Sequence, residues 1–427
     1  MKTNKTPLRI KQVLWVIILF LQGIPPCLSS TPFFNADYVE YKGKVVDSRN
    51  GERIASAYLA VNGTNISTIT NNDGEFSLKV PEDITNVMVT VSYLGYLNKI
   101  LPLDYFKKEN TLIELEESVE ELSEISIFSA EDARGLVVNM LKKRDDNYFN
   151  EQTLMTAFYR ETIKKGRRNV SLSEAVVKIH KQPYNSNKRD DISIIKARKK
   201  TDYERLDTLA LKLRGGPFNT IYLDVMKYPE FLFKPDEIDI YEFTFDKPTK
   251  INNRYLYVID FVEKDQSDPW YHGKLFVDAE TLTLVRATYK LNVDNRNAAS
   301  NLFVKKKPAG ARVYPVNVDY RIDYRESDGK WFYGYGNAQL EFVVNWKNKL
   351  FNSRYTITGE MAVTEWSLEM AEKIKKDKSF ISPSVVMVDD VSGFSDTDFW
   401  GDNNIIEPEK SIQNAIEKIQ RQLEKGN

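Results

Sequence analysis

The sequence predicts a mainly β protein in two parts, a small β-sandwich followed by a larger antiparallel-sheet α+β domain. Three observations predict this. Between Gly43 and Tyr96, short strand-like runs are separated by Asn50-Gly51, Asn62-Gly63 and Asp73-Gly74, steps that suit the positive φ of tight turns. From Leu154 to Thr364, side chains alternate with a period of two in one run after another, as in half-buried strands. A chain of 427 residues is too long for one compact core and suggests two domains.

The first part reads as strands in order. Val45 and Val46 follow Gly43; Ala57–Val61 and Ser67–Thr70 are the next two runs. After Asp73-Gly74, Phe76 and Leu78 share one face and Ser77 and Lys79 the other. Val87, Val89 and Val91 then alternate with Met88 and Thr90. Close spacing with Gly and Asn turns indicates an all-β sandwich ending near Leu115.

These residues carry a family resemblance. The pattern G-x-V-x-D, A-x-V, G-T, T-x-x-D-G-x-F-x-L and V-S-Y-x-G-Y falls on Gly43, Val45, Asp47, Ala57, Gly63, Thr64, Thr70, Asp73, Gly74, Phe76, Leu78, Val91, Ser92, Tyr93, Gly95 and Tyr96. It resembles the carboxypeptidase-regulatory-like domain of many Bacteroidetes envelope proteins. Asn71-Asn72 stands where the family commonly has one polar residue, and Tyr58 where a small β-branched residue is usual. The resemblance implies a seven-stranded, transthyretin-like sandwich over residues 36–117. It implies no catalysis, since the family is kin to an accessory domain of metallocarboxypeptidases.

Residues 1–30 read as an export signal. Lys2, Lys5, Arg9 and Lys11 precede the apolar run Val13–Leu21, and Ser29 and Ser30 supply small residues for cleavage. The apolar run is shorter than the roughly 20 residues of a membrane-spanning helix, though a signal anchor is the competing reading. Cys27, the only cysteine, follows Pro25-Pro26 where a lipoprotein signal wants a small residue, so lipidation is not expected. Cleavage after Ser29 or Ser30 would leave no disulfide framework and no thiol nucleophile. The protein is therefore expected in the periplasm or at the outer-membrane surface.

Residues 118–130 are acidic with interleaved aliphatics and read as a linker. A helix should follow, capped by Ser129 with Asp132 in a capping box, and with Ala133, Leu136, Val137, Met140 and Leu141 on one face. Strands are expected at Leu154–Thr162, Ser171–Ile179, Ile238–Phe245, Tyr255–Val262, Lys274–Asp278, Leu284–Leu291, Val316–Tyr324, Phe332–Trp346 and Phe351–Thr364, with a helical stretch over Thr208–Leu232. The segment Trp270–Asn292 is a hairpin whose G-x-L-x-V-D-x-x-T-x-x-L-V pattern resembles hairpins of half-barrel lipoprotein-carrier folds, whose curved sheets hold acyl chains. The segment Ser395–Lys425, with its FW-x-D-x-N-I-I-E-P core, looks like the C-terminal end of Bacteroidetes proteins that join the regulatory-like domain to an uncharacterised β domain. Pro408 suits a helix start there, and Ile412, Ala415, Ile416, Ile419 and Leu423 form a stripe expected to dock on the chain's own sheet.

The chemistry-bearing residues exclude more than they assign. Sixty basic and 61 acidic residues nearly cancel, so no net field points to nucleic acid. Two histidines, neither beginning a His-x-x-Glu pair, cannot furnish a zinc carboxypeptidase site. His272 reads as a structural or surface residue. No Gly-x-Ser-x-Gly elbow is present, and Arg214–Thr220 lacks the Lys-Ser/Thr of a phosphate loop, so it reads as a glycine-assisted helix start. Asp265, Asp268, Asp278 and Glu280 fall near Trp270 and Tyr271, which invites a carbohydrate site; a solvated hairpin end is the simpler reading. Lys196–Lys200 and Lys305–Lys307 read as solvated turns.

The sequence thus predicts a non-enzymatic, exported envelope protein with no catalytic, metal or cofactor site and no transmembrane span once the signal is removed. Its sandwich would be an interaction or spacer module. Its larger domain would bind an envelope protein or a lipid-like ligand on a curved sheet near Trp270, Tyr271, Leu275, Val277 and Val285. An envelope hydrolase acting on carbohydrate or peptide is the alternative; two carboxylates converging in a cleft would favour it.

Overall fold

Eleven antiparallel strands make the largest sheet among the described residues. The computed structural model describes residues 37–118, 132–202, 216–233, 235–251, 254–303, 310–347, 350–368, 376–385, 387 and 390–426. The expected export signal and most of the expected linker lie outside them, as do Ser129, Arg214 and Lys305–Lys307.

The sandwich comes first. Its strands are β1 (Tyr38–Asp47), β2 (Tyr58–Val61), β3 (Ser67–Ile69), β4 (Glu75–Pro81), β5 (Met88–Ser92), β6 (Lys99–Pro102) and β7 (Thr111–Leu115). They form two sheets, β4-β1-β7 and β3-β2-β5-β6, which is the expected seven-stranded arrangement. Alternation fills the space between them: Val45, Leu59, Phe76, Leu78, Val89, Val91 and Ile113 are all buried in one core. Gly43 sits where β1 runs parallel to β7, and a Cβ there would overlap the Thr111 carbonyl oxygen. Gly74, at φ +71°, makes the turn before β4.

The large sheet follows, with β8 (Thr153–Lys165), β9 (Arg168–Lys181), β10 (Asp191–Thr201), β11 (Tyr241–Ile251), β12 (Arg254–Glu263), β13 (Tyr271–Asp278), β14 (Leu284–Leu291), β15 (Ala311–Ser327), β16 (Lys330–Trp346), β17 (Ser353–Leu368) and β18 (Phe380–Ile381). They are joined in the order β11-β12-β13-β14-β15-β16-β17-β8-β9-β10-β18. One face packs against helix α1 (Ala133–Lys142) and against residues 216–233. Leu136, Val137 and Met140 of α1 join Phe218, Ile221 and Phe233 over Met155, Tyr159, Leu275, Val277 and Ile322 in one core. A buried polar staple holds the 216–233 segment down. Lys181 Nζ lies 2.7 Å from both Asp190 and Asp224. The Tyr184 and Tyr324 hydroxyls donate to Asp224 at 2.9 Å, and Tyr228 donates to Asp190 at 2.8 Å. Burial alone would lower the Lys181 pKa, but the two carboxylates outweigh it and hold the ammonium charged.

The opposite face is covered by the sandwich and by the C-terminal segment. Ile69 of β3 packs with Phe158, Val176, Trp400 and Ile406. The last helix, Lys410–Gly426, buries Ile412, Ile416 and Ile419 against Leu172 of β9, so the expected stripe does dock on the sheet.

Three local expectations are corrected. Asp132 is itself the cap of α1, its carboxylate accepting from the Gly135 N–H at 2.8 Å, so the helix begins at Ala133, about one turn later than a Ser129 cap implies. Within Thr208–Leu232, the described part holds only short turns of helix, Phe218–Ile221 and Pro229–Phe231, because polar links to Asp224 rather than a helical ladder fix it. Lys196–Lys200 is the middle of β10 rather than a turn: Arg198 and Lys199 are buried, the first against Glu174 and the second donating to the Met387 carbonyl at 2.8 Å.

Candidate functional site

The four central long strands put their core residues on one face and a polar row on the other. Ile357 and Met361 of β17, like Ala338 and Leu340 of β16, are buried. Their neighbours Thr356, Thr358, Glu360, Asn337 and Gln339 therefore face the other way. Register lines these up across strands: Thr162 opposes Thr358, which opposes Gln339; Arg160 opposes Glu360, which opposes Asn337, which opposes Arg321. Directly opposed residues share a face, so the result is a continuous polar band about four strands wide.

The sandwich roofs this band. Ala55, Ser56, Asn72 and Tyr93 come from its loops, and Glu409 and Ile412 from the start of the last helix, enclosing a cleft of about 290 Å³. The roof is fixed by specific contacts. Arg325 lies 3.6 Å from the centre of the Tyr58 ring and donates to Ser67 Oγ at 3.1 Å and to the Val363 carbonyl at 2.7 Å. Asn404 accepts from the Lys79 N–H at 2.7 Å and donates back to its carbonyl at 3.0 Å. Asn72 donates to Glu409 Oε2 at 2.9 Å, and the Lys410 N–H donates to Asp73 at 3.1 Å.

Inside the cleft the charges are neutralised locally. Lys164 pairs with Glu409 at 3.2 Å, Arg321 with Asp323 at 2.5 Å, and Arg160 reaches Glu360 at 3.5 Å. Burial pushes the Glu360 carboxyl above the usual range; Arg160 pulls it back and Glu409 pushes it further up. Glu409 ends below its usual range, because hydrogen bonds from Ser411, Asn72 and Lys164 and the Lys164 charge outweigh burial. The neutral residues differ: no side-chain hydrogen bond ties Asn337, Gln339, Thr356 or Thr358 to any other described residue. Among the described residues no group of three His, Cys, Asp or Glu side chains is placed to hold a metal.

The residues singled out in the hairpin lie elsewhere. Leu275 and Val277 have no exposed surface and sit in the core beneath the covering segments. Trp270 and Tyr271 are half-buried at its margin, Tyr271 edge-on to Tyr289 and Tyr320. Val285 is the extra residue of a bulge between β13 and β14 and lines an adjoining cavity of about 120 Å³ with Tyr58 and Arg286, sharing Tyr93 with the cleft. The four acidic residues do not converge. Asp278 ends β13, about 24 Å along the strand from Tyr271, where it accepts from the N–H groups of Glu280 and Thr281. His272 is partly exposed beside Glu263 at 3.5 Å.

The sequence reasoning missed the cleft residues. The signal that could have found them is the run Asn337-x-Gln339-x-Glu341 beside Thr356-x-Thr358-x-Glu360, polar positions that alternate with core ones.

Comparison with known proteins fits the sandwich. The model of the CarboxypepD_reg-like domain matches residues 41–127. No curated protein matches the chain. Solved structures similar to it include a LolA superfamily protein from Nitrosomonas europaea (10% identity, TM-score 0.24, 56% of this chain and 94% of that one). A DUF1329 family protein from Desulfovibrio piger is similar at 12% identity and TM-score 0.21, over 56% and 91%. The MucA/MucB complex from Pseudomonas aeruginosa is similar at 13% identity and TM-score 0.18, over 56% and 100%. At such TM-scores the reading of the site rests on its own residues. No helix of the described residues is long and apolar enough to cross a membrane.

Proposed function

We propose that the cleft between sandwich and sheet binds a hydroxyl-rich ligand of small-saccharide size, and that the chain is a binding protein of the cell envelope rather than an enzyme. The observation that carries this is the row of Asn337, Gln339, Thr356 and Thr358, amides and hydroxyls facing a cleft with no protein partner. Such groups offer donors and acceptors together, the pattern that sugar hydroxyls need, and Tyr93 and Tyr335 add flat apolar surface. Export, read from the first 30 residues, accords with such a role. An apolar ligand against Leu275 and Val277 would require α1 and residues 216–233 to move aside.

The test is a glycan array followed by calorimetry on the full chain. Wild-type protein should bind one class of oligosaccharide, and Thr358→Trp, which fills the cleft, should abolish binding while leaving the urea midpoint unchanged. Equal binding by that variant, or no binding across the array, removes the proposal.

Hydrolysis is the second reading, favoured by one observation: Glu360 and Glu409 line the same cleft with carboxyl pKa values displaced in opposite directions. Against it, Glu409 is already tied to Lys164, Asn72 and Ser411. Mass spectrometry of the bound glycan after prolonged incubation separates the two, since cleavage abolished by Glu360→Gln establishes an enzyme.

A further inference from the structure

We propose that one end of the large sheet, carrying the β16–β17 hairpin tip and the β8–β9 turn, is a contact surface for an anionic lipid bilayer. The geometry begins with strand length. β15 and β16 run 17 residues each and β17 runs 16, against 8 for β14. β14 pairs with β15 only between Lys290↔Asp319 and Arg286↔Asp323, so the part of β15 from Ala311 to Val318 extends past it. The β15–β17 end therefore reaches beyond the β11–β14 half of the sheet, braced by Phe303 against Phe342.

At the tip, Leu350 is 97% exposed and Phe351 83%, more than any other large apolar side chain described. Around it stand Lys165, Arg167, Arg168, Arg312, Lys347 and Arg354, all partly or fully exposed. The turns are neighbours: the Gly166 N–H donates to the Arg354 carbonyl at 2.9 Å, and the Lys347 N–H to that of Gly310 at 3.0 Å. Five adjacent strands span only about 20 Å, so these cations share one rim. Of the acidic residues described near this end, Glu341 lies 3.3 Å from Arg354, Glu409 pairs with Lys164 at 3.2 Å, and Asp202 stands beside the start of β9. Among the described residues the balance is positive, although the whole chain is nearly neutral.

A protruding apolar pair inside a basic rim matches a lipid surface on both counts. The side chains enter the acyl boundary while the cations stay among the headgroups, and each signal alone gives only weak, reversible attachment. A protein partner fits less well, because two exposed apolar side chains offer far less than the roughly 800 Å² per partner of a stable interface.

The test reads the tip itself. In a Cys27→Ser background, Phe351→Cys is labelled with an environment-sensitive nitrobenzoxadiazole dye in the full chain. A second chain carries the label through Ser327→Cys, at the β15–β16 turn on the opposite end of the sheet. Phosphatidylglycerol–phosphatidylcholine vesicles should shift the tip emission to the blue and raise it severalfold, and high salt should reverse the change. Pure phosphatidylcholine vesicles and the opposite-end label should give no response. Arg167→Glu with Arg168→Glu should weaken the apparent affinity at least about tenfold. An unresponsive tip in a chain with the wild-type urea midpoint, or equal responses at both ends, overturns the proposal.

Discussion

Arg160 and Glu174 form an ion pair with 2.8 Å between Nε and Oε1, and neither side chain has more than 2% of its surface exposed. The other oxygen of Glu174 accepts from Arg198 at 2.8 Å. Each arginine then reaches the C-terminal segment, Arg160 donating to the Ile406 carbonyl at 2.7 Å and Arg198 to that of Gly393 at 3.1 Å. One buried carboxylate thus fastens the covering segment to the sheet. Burial pushes the Glu174 pKa up, but the two guanidiniums outweigh it and hold it below the usual range. Glu174→Gln leaves two buried cations short of a counter-charge and should cost about 3–5 kcal/mol at neutral pH, read from urea unfolding. A loss below about 1 kcal/mol contradicts this account.

Asp323 provides a pH-dependent counterpart. Burial raises its carboxyl pKa, but Arg286 and Arg321 dominate and bring it down to about 2 from 3.8. A depressed pKa contributes stability that is present above the unfolded-state value and is lost as pH falls through the folded one. Asp323→Asn should therefore be destabilised by about 2 kcal/mol at pH 7, with the gap to wild type narrowing from about pH 4 downward. A gap independent of pH over that range would show that the charge is not responsible.

Gly43→Ala tests the close approach of β1 and β7. The added Cβ would overlap the Thr111 carbonyl, so the strands must part or the parallel ladder must shift. The expected loss is about 1–3 kcal/mol, seen as a lower urea midpoint with faster amide exchange at Val45 and Ile113. An unchanged midpoint would mean that the backbone absorbs the methyl group freely.

A piece spanning residues 36–117 should fold alone, but at a cost the sequence does not display. Ile69 and Tyr58, covered in the whole chain by the large sheet and Arg325, would face water. The expected outcome is a cooperative thermal transition of low stability, together with self-association in sedimentation that Ile69→Thr relieves. A piece with no cooperative transition refutes its independence.

Which parts were legible follows from what alternation reports. Leu284–Leu291 is the strand β14 with the same ends, and the stripe from Ile412 to Ile419 is buried, because periodicity states which side chains share a face. It does not state what lies over that face. Leu275 and Val277 read as one apolar side, yet only the tertiary fold shows α1 and residues 216–233 packed on them. Asn337, Gln339, Thr356 and Thr358 read like any solvent-facing side, and only the fold roofs them. β10 was hidden for another reason: a run of lysines and arginines reads as solvated unless its counter-charge is known, and that of Arg198 lies 24 residues back on a neighbouring strand.

The seam between β8 and β17, from Thr153↔Leu368 to Lys165↔Tyr355, has a consequence for how the protein is made. Closing it joins residues about 190 to 215 positions apart, a long loop whose entropy must be met before the pairing returns anything. At about 5–20 residues per second, β17 leaves the ribosome on the order of 10–40 s after β8. Through that interval β8 has β9 on one side and a bare ladder on the other, with Met155, Ala157 and Tyr159 uncovered. Nascent chains of this protein should therefore depend on chaperone capture, and slower growth temperatures should raise the yield of folded product.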